Sequence, residues 1–211
     1  MAPLATLLTL ADSRLPTGAH VHSGGLEEAV GSGTVTNLVT LEAFLKRRIR
    51  THGLVTASIA VAVQLGDLAL DDADQETDAR TPAPAAREAS RKQGRGLVRL
   101  ARLIWPDPTW DDLGRRPHLA VAAGRVGALS GLPTEDNALH VVYTTMTGSA
   151  TAAQRLLALD PAEVAALTFR LSGLCEQTAV EATVGLADLS DPLLDTLAQH
   201  HAERERPLFF S

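Results

Sequence analysis

Aromatic residues are scarce in this chain. Two tryptophans, one tyrosine and four phenylalanines make up 3% of its 211 residues, while the hydrophobic fraction is 45%. Alanine, leucine and valine must therefore build the core, and such small side chains suit helix-on-helix packing better than a β-sandwich. Cysteine is almost absent. With Cys175 alone, an intrachain disulfide or a cysteine-rich zinc site is excluded, which fits a reducing compartment. A basic balance is lacking too: the formal net charge of −6 argues against a nucleic-acid partner. The start, Met-Ala-Pro-Leu-Ala-Thr, lacks the basic residues of a signal peptide, and the most apolar run, 54–65, is too short to span a bilayer. These absences lead to the expectation of a cytoplasmic protein without a membrane partner.

What is present is helical periodicity. Leu4, Leu7, Leu8 and Ala11 predict a short first helix that stops near Leu15-Pro16-Thr17-Gly18. A second is expected from about Ser23, carrying Leu26, Ala29 and Val30. Thr40 can cap a third, with Leu41, Phe44, Leu45 and Ile49 on one face and Lys46, Arg47, Arg48 and Arg50 elsewhere. Residues 54–65 are apolar nearly all round; alone they fit a buried strand or a buried helix, and their length and helical neighbours favour a central helix. Residues 66–84 are acidic and then proline-bearing, and read as a mobile connection. A basic helix follows with Arg87, Arg91, Lys92, Arg95, Arg99 and Arg102, whose charges read as a solvated face with the acidic stretch as counter-charge. Trp105-Pro106-Asp107-Pro108 ends it. Further helices are expected over 118–129, 134–159, 160–184 and 191–203. Asp160-Pro161 and Asp191-Pro192 mark two of these starts, each an N-cap aspartate before an N1 proline. The expected fold is all-α, a single-domain bundle of about nine helices over 1–211, with a C-terminal tail at 205–211.

Candidate chemistry is thin. His20 and His22, two residues apart, are weak metal-ligand candidates, because a His-x-His pair still needs a third and a fourth ligand. A loop histidine and a structural or capping histidine is the plainer reading. His200 and His201 are adjacent, and neighbours on a helix point about 100° apart. Asp12, Ser13 and His22 hold the ingredients of a nucleophile and base, but no nucleophile elbow surrounds Ser13. No Walker motif or dinucleotide fingerprint is present. Cys175 reads as a small buried hydrophobe. The residues alone stop at a helical binding protein, with a metal carrier using His20 and His22 and a small hydrolase as alternatives.

The stretch 7–30, LLTLADSRLPTGAHVHSGGLEEAV, carries more. Asp12-Ser13, Leu15-Pro16-Thr17-Gly18 and His22-Ser23-Gly24-Gly25-Leu26-Glu27 closely resemble the N-terminal signature of the urease accessory protein UreF family. The resemblance continues through Arg87-Glu88-Ala89-Ser90 with Gly94-Arg95, through 118–131 with Gly124, and through Ala152-Ala153-Gln154-Arg155-Leu156. It ends with His201 and Leu208-Phe209-Phe210-Ser211. The chain departs from the family pattern at His20, usually aromatic. It departs again at 159–162, where a Gly-Gln segment is replaced by Leu-Asp-Pro-Ala, and at Glu205-Arg206-Pro207, where Tyr-Ser-Arg is usual.

The resemblance implies an all-helical, dimerising protein that is not an enzyme and has no cofactor of its own. It implies a complex with the accessory protein UreD (UreH in some organisms) and the GTPase UreG, which docks on apo-urease and helps deliver nickel; the metal is cargo in transit. It also implies partner-binding positions. Arg155 matches an arginine near the dimer face where the GTPase is recruited. The first segment and the tail, with His201, Arg206, Leu208, Phe209 and Phe210, match regions that engage UreD.

Overall fold

The computed structural model describes residues 3–12, 15–16, 22–204 and 208–209. Ser13, His20, Arg206 and Phe210, singled out above, lie outside the described residues. Ten α-helices are present among those described: α1 Pro3–Leu10, α2 Leu26–Gly31, α3 Leu38–Arg48, α4 Leu54–Leu65, α5 Leu70–Ala79, α6 Pro84–Ile104, α7 Leu119–Ser130, α8 Thr134–Leu156, α9 Pro161–Ala182 and α10 Pro192–Ala202. The fold is all-α. No described helix is long and apolar enough to cross a membrane.

Helix α4 is the axis of the molecule, packed against α7, α8 and α9. Its sequence LVTASIAVAVQL has no polar face to keep wet, and Ala57, Ile59 and Ala60 are wholly buried. Close approach requires small partners. A Cβ on Gly124 of α7 would stand 2.6 Å from the Ala60 carbonyl oxygen and 2.6 Å from Val63 Cβ, so glycine alone lets α7 lie this near. The few aromatics are spent at the edges of this core: Trp110, in the 3-10 turn Pro108–Leu113, is buried and donates from Nε1 to the Trp105 carbonyl at 2.8 Å.

Between α3 and α4 the chain stays helical through a π-helical turn, Ile49–Gly53. Helix α3 begins earlier than Thr40: Asn37 is the N-cap, accepting from the amides of Val39 and Thr40, while Thr40 at N3 bonds back to the Asn37 amide. This reciprocal capping box outcompetes a cap by Thr40 alone. Asp160 and Asp191 cap α9 and α10 as their sequence suggests.

The expected connection at 66–84 needs correcting, because it contains α5, which also raises the count from about nine helices to ten. Asp71 and Asp72 occupy its first turn, where the helix dipole favours acids, and Ala73 and Thr77 pack inward one turn apart. The expected counter-charge is there. Arg91 of α6 grips Asp74 at 2.7 Å and Asp78 at 3.1 Å, and Arg87 lies 3.5 Å from Asp78.

Candidate functional site

The C-terminal tail folds back onto α2. Gly25 caps α2 with a positive φ of 85°, a conformation that side-chain-bearing residues rarely adopt, and so turns Glu27 into the interior. Glu27 is 5% exposed. Its Oε2 accepts from His201 Nε2 at 2.7 Å and from the Phe209 amide at 3.0 Å, and its Oε1 accepts from the Leu208 amide at 2.9 Å. Burial alone would raise the carboxyl's pKa. The Leu208 amide, the His201 imidazole and the Phe209 amide outweigh it and hold the pKa below the usual glutamate value. Next to it, Arg204 donates to Glu28 at 2.6 Å.

This clamp decides what each tail residue offers. His201 and Phe209 are buried against their own chain, whereas Leu208 is 80% exposed. Arg155 is exposed in the last turn of α8. Just beyond it the helix closes in a Schellman motif: the Leu159 amide reaches the Gln154 carbonyl at 3.2 Å, and Ala158 takes a positive φ of 49°.

The sequence-derived chemical candidates fall elsewhere. His22 is buried, beside Ser23, whose carbonyl accepts from Ser149 Oγ at 3.1 Å. Asp12 and His22 line one partly open cavity. A grouping of three metal-capable side chains among the described residues is a different one: Asp74, Asp78 and His118. There the Arg91 guanidinium already stands between the two carboxylates, and His118 donates from Nε2 to Asp78 at 2.9 Å while Nδ1 faces Ser90 Oγ at 3.0 Å. Burial, then the charge of Arg91, lowers the His118 pKa, so it stays neutral. The cluster reads as a half-buried ion network that ties α5 to α6 and α7. Cys175 faces Met146 sulfur at 3.8 Å, and burial pushes its thiol up to about 12, which leaves it inert.

Residue reasoning missed Glu27 as a hub and missed Asp191 as a second one. Asp191 caps α10, takes three hydrogen bonds from Arg47 at 2.7 to 2.9 Å, and accepts from Thr51 at 2.9 Å. The Asp-Pro cap was legible; the partner 144 residues away was not.

Comparison with known proteins agrees with the family resemblance read from the sequence. The UreF family model matches residues 35–172, more than half of the chain. A urease accessory protein UreF from Mycobacterium marinum is 79% identical over 211 residues, covering all of both chains. One from Mycobacterium tuberculosis (strain H37Rv) is 78% identical, again over the whole of both. One from Mycolicibacterium vanbaalenii is 70% identical over 214 residues with complete coverage. The chain belongs to the urease accessory protein UreF family.

Proposed function

We propose that this chain is a scaffold for urease maturation that joins UreD (or UreH) and the GTPase UreG and presents them to apo-urease. In this reading it performs no chemistry of its own and holds no resident cofactor, nickel being cargo of the assembled complex. It also pairs with a second copy of itself, as the family resemblance implies. The observation that carries the reading is the clamp at Glu27, which fastens the tail to the last residues of the N-terminal signature. So fastened, the tail presents Leu208 to solvent and keeps Phe209 seated beneath it. Burying a leucine side chain in a partner contributes about 1.5–3 kcal/mol before ordering costs. An apolar residue presented on a clamped tail costs less to order than one on a free tail.

Two variants test it. Deleting 208–211 is expected to leave the helical circular dichroism intact and to abolish recovery of UreD in a pull-down; undiminished recovery would count against the docking role. Arg155→Ala is expected to weaken association with UreG on a sizing column while UreD binding persists. Normal co-elution with the GTPase would remove Arg155 from the interface.

A further inference from the structure

Two partly open cavities, with room of about 70 and 90 Å³, share four lining residues: Arg48, His52, Gln93 and Leu119. Both volumes are several times what one water needs, so the space is large enough for a small solute. Arg48 is half-buried at the end of α3, where the π-helical turn Ile49–Gly53 begins; such turns recur at functional sites because they re-aim side chains. Its Nη1 donates to the Gly24 carbonyl at 2.9 Å and its Nε to the Thr145 carbonyl at 3.4 Å. Nη2 has no partner among the described residues. No carboxylate among the described residues forms an ion pair with this guanidinium. Asp191, whose charge reaches it, is already neutralised by Arg47. Burial without a counter-ion pushes the Arg48 pKa down to about 10.

The neighbours are polar and free. Neither His52 nor Gln93 has a hydrogen-bond partner among the described residues. Burial, then the charge of Arg48, pushes His52 down to about 3, so it faces the cavities as a neutral imidazole with one N–H to give. In the second cavity His140, 7% exposed, bonds the Leu10 backbone through one ring nitrogen, and its Nδ1 is without a partner. A half-buried cation with spare donors, beside an unpaired amide and an unpaired imidazole, is an arrangement that favours an anion.

We propose that this junction binds one small monovalent oxyanion of the hydrogencarbonate or short-carboxylate type, held by Arg48 with Gln93 and His52. The charge count sets the valence. Arg48 has no ion-pair partner among the described residues, and the carboxylates of Asp12, Asp191 and Asp195 on the cavity walls oppose a second negative charge. The Arg48 fork matches the two oxygens of a planar CO₂ group. A ligand hydroxyl would also satisfy the His140 acceptor, which favours hydrogencarbonate over acetate. The site is independent of the scaffold role and is read without any partner.

Calorimetric titration and thermal unfolding of the full chain at pH 8, with sodium chloride holding ionic strength constant, test this. Sodium bicarbonate is expected to bind saturably and to raise Tm by about 3 °C at ten times Kd. Sodium acetate should bind about ten-fold more weakly, and phosphate dianion should not bind. Arg48→Gln should abolish binding, and Gln93→Leu, which leaves the Gly24 contact in place, should weaken it about five-fold. Absence of saturable binding overturns the proposal, as does phosphate binding as tightly as bicarbonate. So does unchanged affinity in folded Arg48→Gln or, should that variant not fold, in Gln93→Leu. Acetate binding more tightly than bicarbonate supports the oxyanion site and assigns it to carboxylates.

Discussion

The imidazole Nε2 of His201 lies 2.7 Å from the carboxylate Oε2 of Glu27, although 174 residues separate them. Both side chains are buried, and the same carboxylate holds the amides of Leu208 and Phe209. Replacing Glu27 with glutamine keeps the shape but removes the charge that draws three donors together. Glu27→Gln is expected to cost about 2 kcal/mol, since hydrogen bonds to a charged group are worth more than neutral ones. A lower urea midpoint and faster proteolytic trimming of the C-terminal tail would both register it; an unchanged midpoint would show that the clamp adds nothing.

Acid should unfold the protein in two stages. His52 and His140 titrate near 6.5 when unfolded but are held down to about 3 and about 4 when folded, chiefly by burial. The unfolded chain therefore binds more protons, and stability falls as pH drops from about 6.5. Each histidine contributes a loss of about 1 kcal/mol between pH 6.5 and 5.5. Glu27 and Asp191, both depressed below their ordinary carboxylate values despite burial, stabilise the fold above those values, and this contribution disappears only at lower pH. Urea midpoints followed from pH 7.5 to 3.5 should show both waves. His140→Gln should flatten the upper one.

Ala158 occupies the left-handed position that closes α8, at φ 49°. Glycine reaches that conformation without the Cβ clash. Ala158→Gly is expected to stabilise the fold by about 0.5–1 kcal/mol, strain relief outweighing the added freedom of the unfolded chain. A drop in the thermal midpoint would mean that the turn is not strained.

At Gly124 α7 lies close against α4, with the Ala60 carbonyl 2.6 Å from a would-be Cβ. Gly124→Val is expected to destabilise by at least about 1–3 kcal/mol, because backbone cannot step aside as a side chain does. A thermal midpoint within 1 °C or so of the parent would show that α7 can shift away freely.

Most of this helical order is legible in the sequence, because apolar spacing and Asp-Pro caps are local signals. Helix α5 escapes that reading. Its ten residues, LDDADQETDA, bury only Ala73 and Thr77, so no apolar stripe stands out from the acids. The two hubs escape for a different reason. Glu27 finds His201, and Asp191 finds Arg47, across 174 and 144 residues, distances over which periodicity carries no information. Arg48 hides in plain view within Lys46-Arg47-Arg48: three adjacent cations look alike in sequence, and only the fold sends one to solvent, one to Asp191 and one to the cavities.

The π-helical turn at Ile49–Gly53 has an evolutionary reading as well as a geometric one. A turn of this kind corresponds to one residue more than an α-helix needs, so α3 and α4 form a single rod with two phases. Removing one residue there would straighten the rod and rotate α4 relative to α3 by about 100°. Neither helix could absorb such a rotation: α4 fits Gly124 only at Ala60 and Val63 and bonds the Leu132 carbonyl through Gln64, and α3 is tied to Asp191 through Arg47. Length variation in this stretch is therefore closed to the chain: it can exchange residues in the turn, but it cannot lose one.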